Sequence, residues 1–503
     1  MFDNPLFISF IAYFIVMLGI GIYSMRFSSQ GIAEYFVGGR KLGKFVVALS
    51  AVVSGRSAWV FLSLAGLAYA TGPSALWYVI GFIPAEMLLF FFFANRVRRF
   101  AEKHDCITVP DLFSARLRDA AGIVRAVMVL IFIGFLLPYI SAQFIGGGKA
   151  LFSSEFVPSA DVGLYVTAGI VLIYTLLGGF LAVSLTDTIQ ACFMIFGLIV
   201  LPTVVIANFG GLEAVSSALA QIDPKLVDFK AIAIGTAIGG VGLGLGSVGN
   251  PHITSRYLAI RNPDELRIAG VIGTVWNTLM CFGAIAVGLT GRAMIPDVSN
   301  LPQGKADTIF MVLSQSELSP WLAGILLSAV FAAIMSTADS QLLVAASAIV
   351  RDFFQKLTRF GKNVSDSAMV WVSRAIVFLL VVVAVVLGLN AEESLNSLII
   401  LAWSGPGAAI GPVALLIVFW KKTTWQGAVA GMLAGALMVI FWAYSPAFGV
   451  TVQSAAGEAV SLKKGLTGEI VPGFFVSLIA CWLVSLATKP PSDAEELMAD
   501  FSP

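Results

Sequence analysis

Charge is what this sequence has least of. Only 12% of its 503 residues are Asp, Glu, Lys or Arg, against roughly 25% in an ordinary soluble domain. Histidine is nearly missing: the two are His104 and His252, both read as lying in loop regions, which leaves imidazole chemistry little to draw on. The four cysteines, Cys106, Cys192, Cys281 and Cys481, have no CxxC spacing, so neither a disulfide framework nor a zinc site is expected. A net charge of +1 gives no electrostatic footprint for nucleic acid. With no paired nucleophile and base, metal cluster or phosphate loop, an enzyme is not the expectation.

What the chain has in excess is apolar surface. Hydrophobic residues make up 58% of it and the mean hydropathy is +0.93, more than one water-soluble core can hide. The lipid bilayer is the natural solvent. A span needs about 20 largely apolar residues, and thirteen such stretches can be drawn: 7–24, 45–70, 73–95, 123–143, 162–180, 188–207, 231–249, 268–289, 319–347, 370–389, 396–420, 426–444 and 471–487. The first lacks the basic flank and cleavage site of a secretory signal and reads as a retained span. Residues 1–490 form one transmembrane domain on this reading, and 491–503 a short solvated tail without a function of its own.

Lys and Arg are distributed unevenly between the two sides. Connections on one side, 26–44, 96–122, 251–267, 348–369, 421–425 and the tail, carry about 20 basic residues, including Arg96, Arg98, Arg99, Lys103, Arg116 and Arg118, and the other side about 7, chiefly Lys225, Lys230, Lys463 and Lys464. The positive-inside rule then places the N-terminus outside and the C-terminus in the cytoplasm, in the plasma membrane, the inner membrane of a bacterium. Arg125 and Arg374 stand at span ends, where long side chains snorkel to the interface. Arg56 lies halfway along the second span, where an unpaired charge costs at least ~3 kcal/mol.

Two spans look broken. One holds Ser54-Gly55-Arg56-Ser57; the other runs from Gly239 through Gly242, Gly244, Gly246 and Gly249 to Pro251. Such density of glycine frees backbone groups that lipid cannot satisfy, and points to a polar or ligand-filled cavity; close helix packing is the plainer reading of the glycines alone. The breaks recur five spans apart in opposite orientation, the pattern of an inverted five-plus-five repeat with its site near the midplane. The core repeats fall at about 45–207 and 231–420. The fold class is an all-α polytopic membrane protein with two broken helices.

Other polar groups gather in the same spans. Glu86 sits in the third between Pro84 and a run of phenylalanines, and a lone ionised Glu facing acyl chains is implausible. We expect it opposite Arg56, either as a structural salt bridge or as a pair that also holds a zwitterionic or carboxylate solute on the Arg fork. Ser336, Thr337, Asp339 and Ser340 follow one another in the ninth span, offering oxygens to a hard monovalent cation. Thr186-Asp187 opens the sixth span, where an ordinary helix N-cap and an ion ligand are both open readings.

These motifs resemble the sodium/solute symporter family, in particular its sodium/proline branch. The resemblance covers nearly the whole chain and rests on Tyr35-Phe36-Val37-Gly38-Gly39-Arg40, Ala48-Leu49-Ser50-Ala51, Thr186-Asp187-Thr188-Ile189-Gln190-Ala191, Asn250-Pro251-His252-Ile253, Met335-Ser336-Thr337, Gln341-Leu342-Leu343-Val344, and Gly407-Ala408-Ala409 with Gly411-Pro412-Val413. It implies a LeuT-like inverted repeat over the second to eleventh spans, alternating access, and symport driven by sodium. Carried over by position, a common sodium site would use the carbonyls of Val53, Arg56 and Ala333 with the hydroxyls of Ser336 and Thr337. A second sodium or proton site would use Asp187, Ser336, Asp339 and Ser340.

The departures concern the solute. Proline carriers have Asp and Met where this chain has Gly55 and Arg56, although Ser57 and Trp59 match. Aromatic residues of their seventh span become Leu243 and Ser247, Pro251 is kept, and Glu86 has no acidic counterpart. The expected substrate site is therefore Arg56, Ser57, Trp59, Glu86, Leu243, Ser247 and Pro251, for a proline-like amino acid or a small carboxylate. Partners on this reading are that solute, sodium and the bilayer, with no nucleic acid and the oligomeric state left open. A transporter-like sensor and a proton-coupled carrier of the same fold are the rival readings.

Overall fold

The computed structural model describes residues 3–28, 32–358, 364–391, 394–445, 451–453, 459–461 and 468–502. Lys463 and Lys464 lie outside the described residues. Each of the thirteen apolar stretches falls on helix, and apart from one short hairpin, β1 (Thr451–Gln453) with β2 (Ala459–Ser461), the regular structure described is helical.

The chain opens with α1 (Pro5–Ser28) and α2 (Ile32–Val37), then α3 (Lys44–Ala58), a π turn over Trp59–Leu64, and α4 (Ala65–Thr71). At Gly72, with φ 67°, the chain reverses into α5 (Leu76–Leu88), which continues through a second π turn, Leu89–Ala94, into α6 (Asn95–Lys103). The reversal can be read from Gly273, which lies against the side chains of both Val52 and Phe90. Next come α7 (Val109–Leu117), α8 (Ile123–Ser153) and the 50-residue α9 (Ala160–Phe209). Gly179 breaks α9, with φ 63° and ψ 178°, a conformation essentially closed to residues with a Cβ. The chain doubles back there, since the Tyr174 hydroxyl pairs with that of Thr186 only twelve residues on.

The second half begins with α10 (Leu212–Ile222) and α11 (Ile234–Gly242), then a 3-10 stretch over Leu243–Val248 and α12 (Pro251–Ala259). It continues with α13 (Leu266–Met294), α14 (Ile309–Glu317), α15 (Pro320–Ser347), α16 (Asp366–Leu389), α17 (Leu395–Phe419), α18 (Trp425–Tyr444), α19 (Ile470–Ala487) and the short α20 (Ala494–Ala499). Ten of the described stretches are long and apolar enough to cross a membrane, one of them being the reversing segment Lys44–Lys103, and Ala160–Leu176 and Ile234–Val248 are shorter apolar helices. The second broken element runs against the first. Leu42, just before α3, donates its N–H to Ala259 O at the end of α12 (3.2 Å) and accepts from Arg261 N (2.8 Å). The start of one broken helix therefore meets the end of the other, as an inverted repeat requires.

Burial grades inward. Side chains of α15 are buried almost throughout, whereas α16 shows Trp371, Phe378, Leu379 and Val386 on its surface. An apolar surface of that kind is what a helix presents to lipid.

Four expectations change. The segment 251–267 is not simply a loop, because α12 is wholly buried and carries His252 inside it, its ring edge-on to Tyr139 and Trp403. Asp187 does not cap a helix, because α9 runs continuously through it and Thr186 bonds back to the carbonyls of Ala182 and Val183. Arg125 does not snorkel; it is buried between Asp111 (2.7 Å) and Asp352 (2.5 Å). Nor is the tail a solvated end. Its acids meet basic partners, Asp493 with Arg118, Glu495 with Lys421 and Asp500 with Lys103 and His104, while Leu497 and Phe501 are buried. Alternating acidic and apolar residues there match a basic surface that also offers an apolar seat.

Candidate functional site

The site is built around the break in α3. Helical hydrogen bonding stops at Ser57, which takes φ 50° and ψ −173°, so N–H and C=O groups on either side lose intrahelical partners. Protein groups fill some of these vacancies. Gln143 Oε1 accepts from Ala58 N at 2.9 Å, and Ser57 Oγ accepts from Trp59 N at 3.1 Å. At the second break, Trp403 Nε1 donates to Leu243 O (2.9 Å) and Asn250 Nδ2 to Gly246 O (2.8 Å). Freed backbone therefore faces side chains here, not the open cavity expected from the glycines.

Arg56 and Glu86 form an ion pair, both buried. Asn277 of α13 joins them: its Oδ1 accepts from Arg56 Nε (2.7 Å) and its Nδ2 donates to Glu86 Oε2 (2.8 Å). Ser247 Oγ approaches Glu86 Oε1 at 3.4 Å. The guanidinium lies 4.6 Å from the Phe82 ring centroid, and Phe82 itself contacts Trp59 (5.6 Å) and Trp403 (5.3 Å). Of the predicted solute residues, Arg56, Glu86 and Ser247 thus meet directly, and Ser57 and Trp59 flank them at the break. Leu243 contributes its carbonyl to Trp403. Pro251 opens α12 and lines a small gap with Phe36, Pro110 and Ser255 instead.

The predicted sodium ligands also converge. Val53 O lies 3.4 Å from Ser336 Oγ and 3.5 Å from Thr337 Oγ1, and Ala333 O lies 3.2 Å from Ser336 Oγ. The hydroxyls donate to these carbonyls over distances longer than the usual length of about 2.7–2.8 Å, and the bond to Ala333 O runs back along α15 itself. Four of the predicted oxygens are therefore neighbours. Arg56, the fifth predicted ligand, has its carbonyl at the same break, where it accepts from Trp59 N.

The acids of the second predicted site are not alone. Asp187 Oδ2 accepts from Ser50 Oγ (2.6 Å) and pairs with Arg256 Nη2 (3.2 Å). Arg256 also donates to Ser340 Oγ and, through Nε, to Ser50 Oγ (3.0 Å). Asp339 accepts from its neighbour Ser340 at 3.2 Å. A guanidinium thus stands among the residues predicted to hold a second cation.

Asn277, Gln143 and Arg256 were missed in the sequence. Asn277 carried a signal, a lone amide inside an apolar span. Arg256 did not, since counting it with a basic connection hid its burial.

Beyond Trp59, at the end opposite the basic loops, lies a cavity of about 700 Å3 lined by Leu62, Ser63, Lys149, Asp161, Asp307 and Asn396 among others. Lys149 and Asp307 bridge within it at 2.6 Å.

The model of the sodium:solute symporter family matches residues 35–435, most of the chain. The chain belongs to that family. It is 37% identical over 499 residues to the sodium/proline symporter of Escherichia coli (strain K12), covering 98% of this chain and 95% of that one. It is 36% identical over 489 residues to the osmoregulated proline transporter OpuE of Bacillus subtilis (strain 168), covering 96% and 94%. Among solved structures, a Na+-coupled sialic acid symporter in a substrate-bound outward-open state superposes with a TM-score of 0.79 at 18% identity, covering 97% of this chain and 99% of that one. MhsT in complex with L-phenylalanine gives 0.55 at 15% identity, over 89% and 99%. This symporter is a multi-pass membrane protein that couples a small solute to sodium, and it is a carrier, not an enzyme.

Proposed function

We propose that this symporter imports a small carboxylate-bearing solute, with proline or a proline-like amino acid first in line, by alternating access around the break in α3. Its observational support is one juxtaposition. The Val53 carbonyl faces Ser336 and Thr337 just before the break, and the Arg56–Glu86–Asn277 cluster lies at it, under Trp59, Phe82 and Trp403. Both curated relatives described above carry proline in their names.

Roles follow from the chemistry. Val53, Ala333, Ser336 and Thr337 hold sodium, with the Arg56 carbonyl closing the set. Arg56 and Glu86 are opposite charges that a zwitterion can meet with matching ends, while Ser57, Ser247 and Asn277 orient it and the rings exclude water. Residues 1–490 act as one transport domain with core repeats at about 45–207 and 231–420. The basic end faces the cytoplasm, the N-terminus lies outside and the C-terminus inside. The cavity beyond Trp59 is then the outer vestibule.

The test is a sodium jump on proteoliposomes offered labelled proline, other amino acids and small carboxylates. Accumulation that needs inward sodium and falls in Arg56→Gln is expected. Uptake indifferent to sodium, or driven only by a proton gradient, would overturn the proposal.

A further inference from the structure

A cavity of about 360 Å3 lies between α1 and the first limb of α9, Ala160–Leu176. Phe7, Ile11, Phe14 and Leu18 form one wall and Val166, Ile170, Ile173 and Tyr174 the other, each a single stripe of its helix. The buried Met335 of α15 closes the back. Both ends are stopped. At one, Phe156 packs on Phe7 (5.2 Å between ring centroids) and Phe10 (5.6 Å), and at the other Gly21 lies against the Tyr174 ring. The mouth therefore faces sideways. Its rim residues Ile11, Val166 and Ile173 are exposed and continue into Ile15 and Val16, apolar surface of the kind a helix presents to lipid. Among the described residues no charged side chain lines the cavity, and the hydroxyl there, on Tyr174, is already paired with that of Thr186.

The walls exclude most occupants. Water needs several polar partners, which they do not offer. A zwitterionic solute finds no charge to anchor it. A helix is about 10 Å across, too thick for a gap stopped at both ends. From Phe7 to Leu18 the groove runs about 16 Å along α1, close to half of a hydrocarbon core roughly 30 Å thick. That is the reach of one lipid chain.

We propose that this groove is a site for one acyl chain of a membrane phospholipid, entering sideways from the leaflet nearer the start of α1. Inside the bilayer there is no gain from leaving water, so preference over the surrounding lipid comes from dispersion contact. The groove offers two walls and a back, where an open helix face offers a single surface. The chain thus supplies packing that α1 and α9 do not give each other along this stretch.

Photolabelling tests this without solute or sodium, so its outcome is separate from that of the uptake experiment. The full-length carrier is reconstituted in vesicles of phosphatidylethanolamine and phosphatidylglycerol with a trace of phosphatidylcholine bearing a diazirine near the end of one acyl chain, and adducts are located by mass spectrometry after a flash. Leu18 and Ile170, both half-buried, should be labelled about tenfold or more above Phe378 and Leu379, which are exposed midway along α16. Ile170→Trp fills the groove and should bring Leu18 down to the level of α16, with the labelling of α16 itself unchanged. Should that variant fail to fold, Leu18→Trp, read at Ile170, puts the same question. Labelling of Leu18 and Ile170 no higher than that of α16 would overturn the proposal, as would unchanged labelling of Leu18 in folded Ile170→Trp. Adducts joining two copies of the chain at these residues, in place of lipid adducts, would give the groove to a second protomer and overturn it too.

Discussion

Phe501 lies flat on Phe100, ring centroids 4.2 Å apart and planes within 10° of parallel. The stack seats the tail on α6, and the ion pairs of Asp493, Glu495 and Asp500 surround it. Losing a buried ring of this kind costs about 2–3 kcal/mol. Phe501→Ala should therefore speed amide exchange across residues 494–501 by about thirtyfold or more, with the membrane helices unaffected. High salt should speed it far less, because exposed ion pairs contribute little. Unchanged exchange in the variant would mean that the stack does not hold the tail.

Breaking the Arg56–Glu86 pair from one side leaves an uncompensated buried charge, a loss of about 3–5 kcal/mol. Arg56→Gln and Glu86→Gln should each lower thermal stability in detergent by that order. The double change should recover much of it, because two neutral amides can share Asn277. Strictly additive losses would show that the two side chains act independently.

Asn277→Ala removes a partner from Arg56 Nε and from Glu86 Oε2 at once, at roughly 1–3 kcal/mol for each group left unsatisfied. Stability should fall, and if the cluster holds the solute, half-saturation should rise more than maximal uptake falls. A variant that loses stability alone would make Asn277 purely structural.

Thr337→Ser keeps a hydroxyl opposite Val53 O, whereas Ser336→Ala with Thr337→Ala removes both. The double variant should need at least about tenfold more sodium for half-maximal binding, a difference of about 1.4 kcal/mol, and should still reach the membrane. Thr337→Ser should stay close to wild type. Sodium titrations that overlay for all three would remove these hydroxyls from the ion site.

Gly179→Ala would force a Cβ into φ 63° and ψ 178°, at about 1–3 kcal/mol. A lower thermal midpoint is expected, and an unchanged one would show that the turn relaxes without cost.

Much of this was legible in the sequence because membrane physics makes polar residues conspicuous. Arg56 and Glu86 stood out as charges that lipid would not accept, and each proved to be the other's partner. The hydroxyls of Ser336 and Thr337 stood out as adjacent oxygens in an apolar span, the resemblance added Val53 opposite them, and they do face the broken helix. Failures came where sequence distance hides proximity. Arg256 read as part of a basic connection because nothing local says that α12 turns inward onto Asp187. Asp187 read as a possible cap because hydropathy does not show that the limb of α9 after the reversal at Gly179 is already helical before it. The tail read as solvent-exposed because its acidic residues were weighed without the basic surface that receives them.

The break at Ser57 has a thermodynamic consequence for selectivity. Its N–H groups are already taken, that of Ala58 by Gln143 and that of Trp59 by Ser57 Oγ and the Arg56 carbonyl. A solute carboxylate that approached these groups would exchange places with the acceptors and add no bond to the total, leaving the proposed Arg56 fork as its polar anchor. For the backbone groups of the break that is close to an even trade. Discrimination between one small acid and another falls to the shape and polarisability of the Trp59, Phe82 and Trp403 rings, so solutes of equal charge should differ mainly in how well their apolar parts fill that aromatic frame.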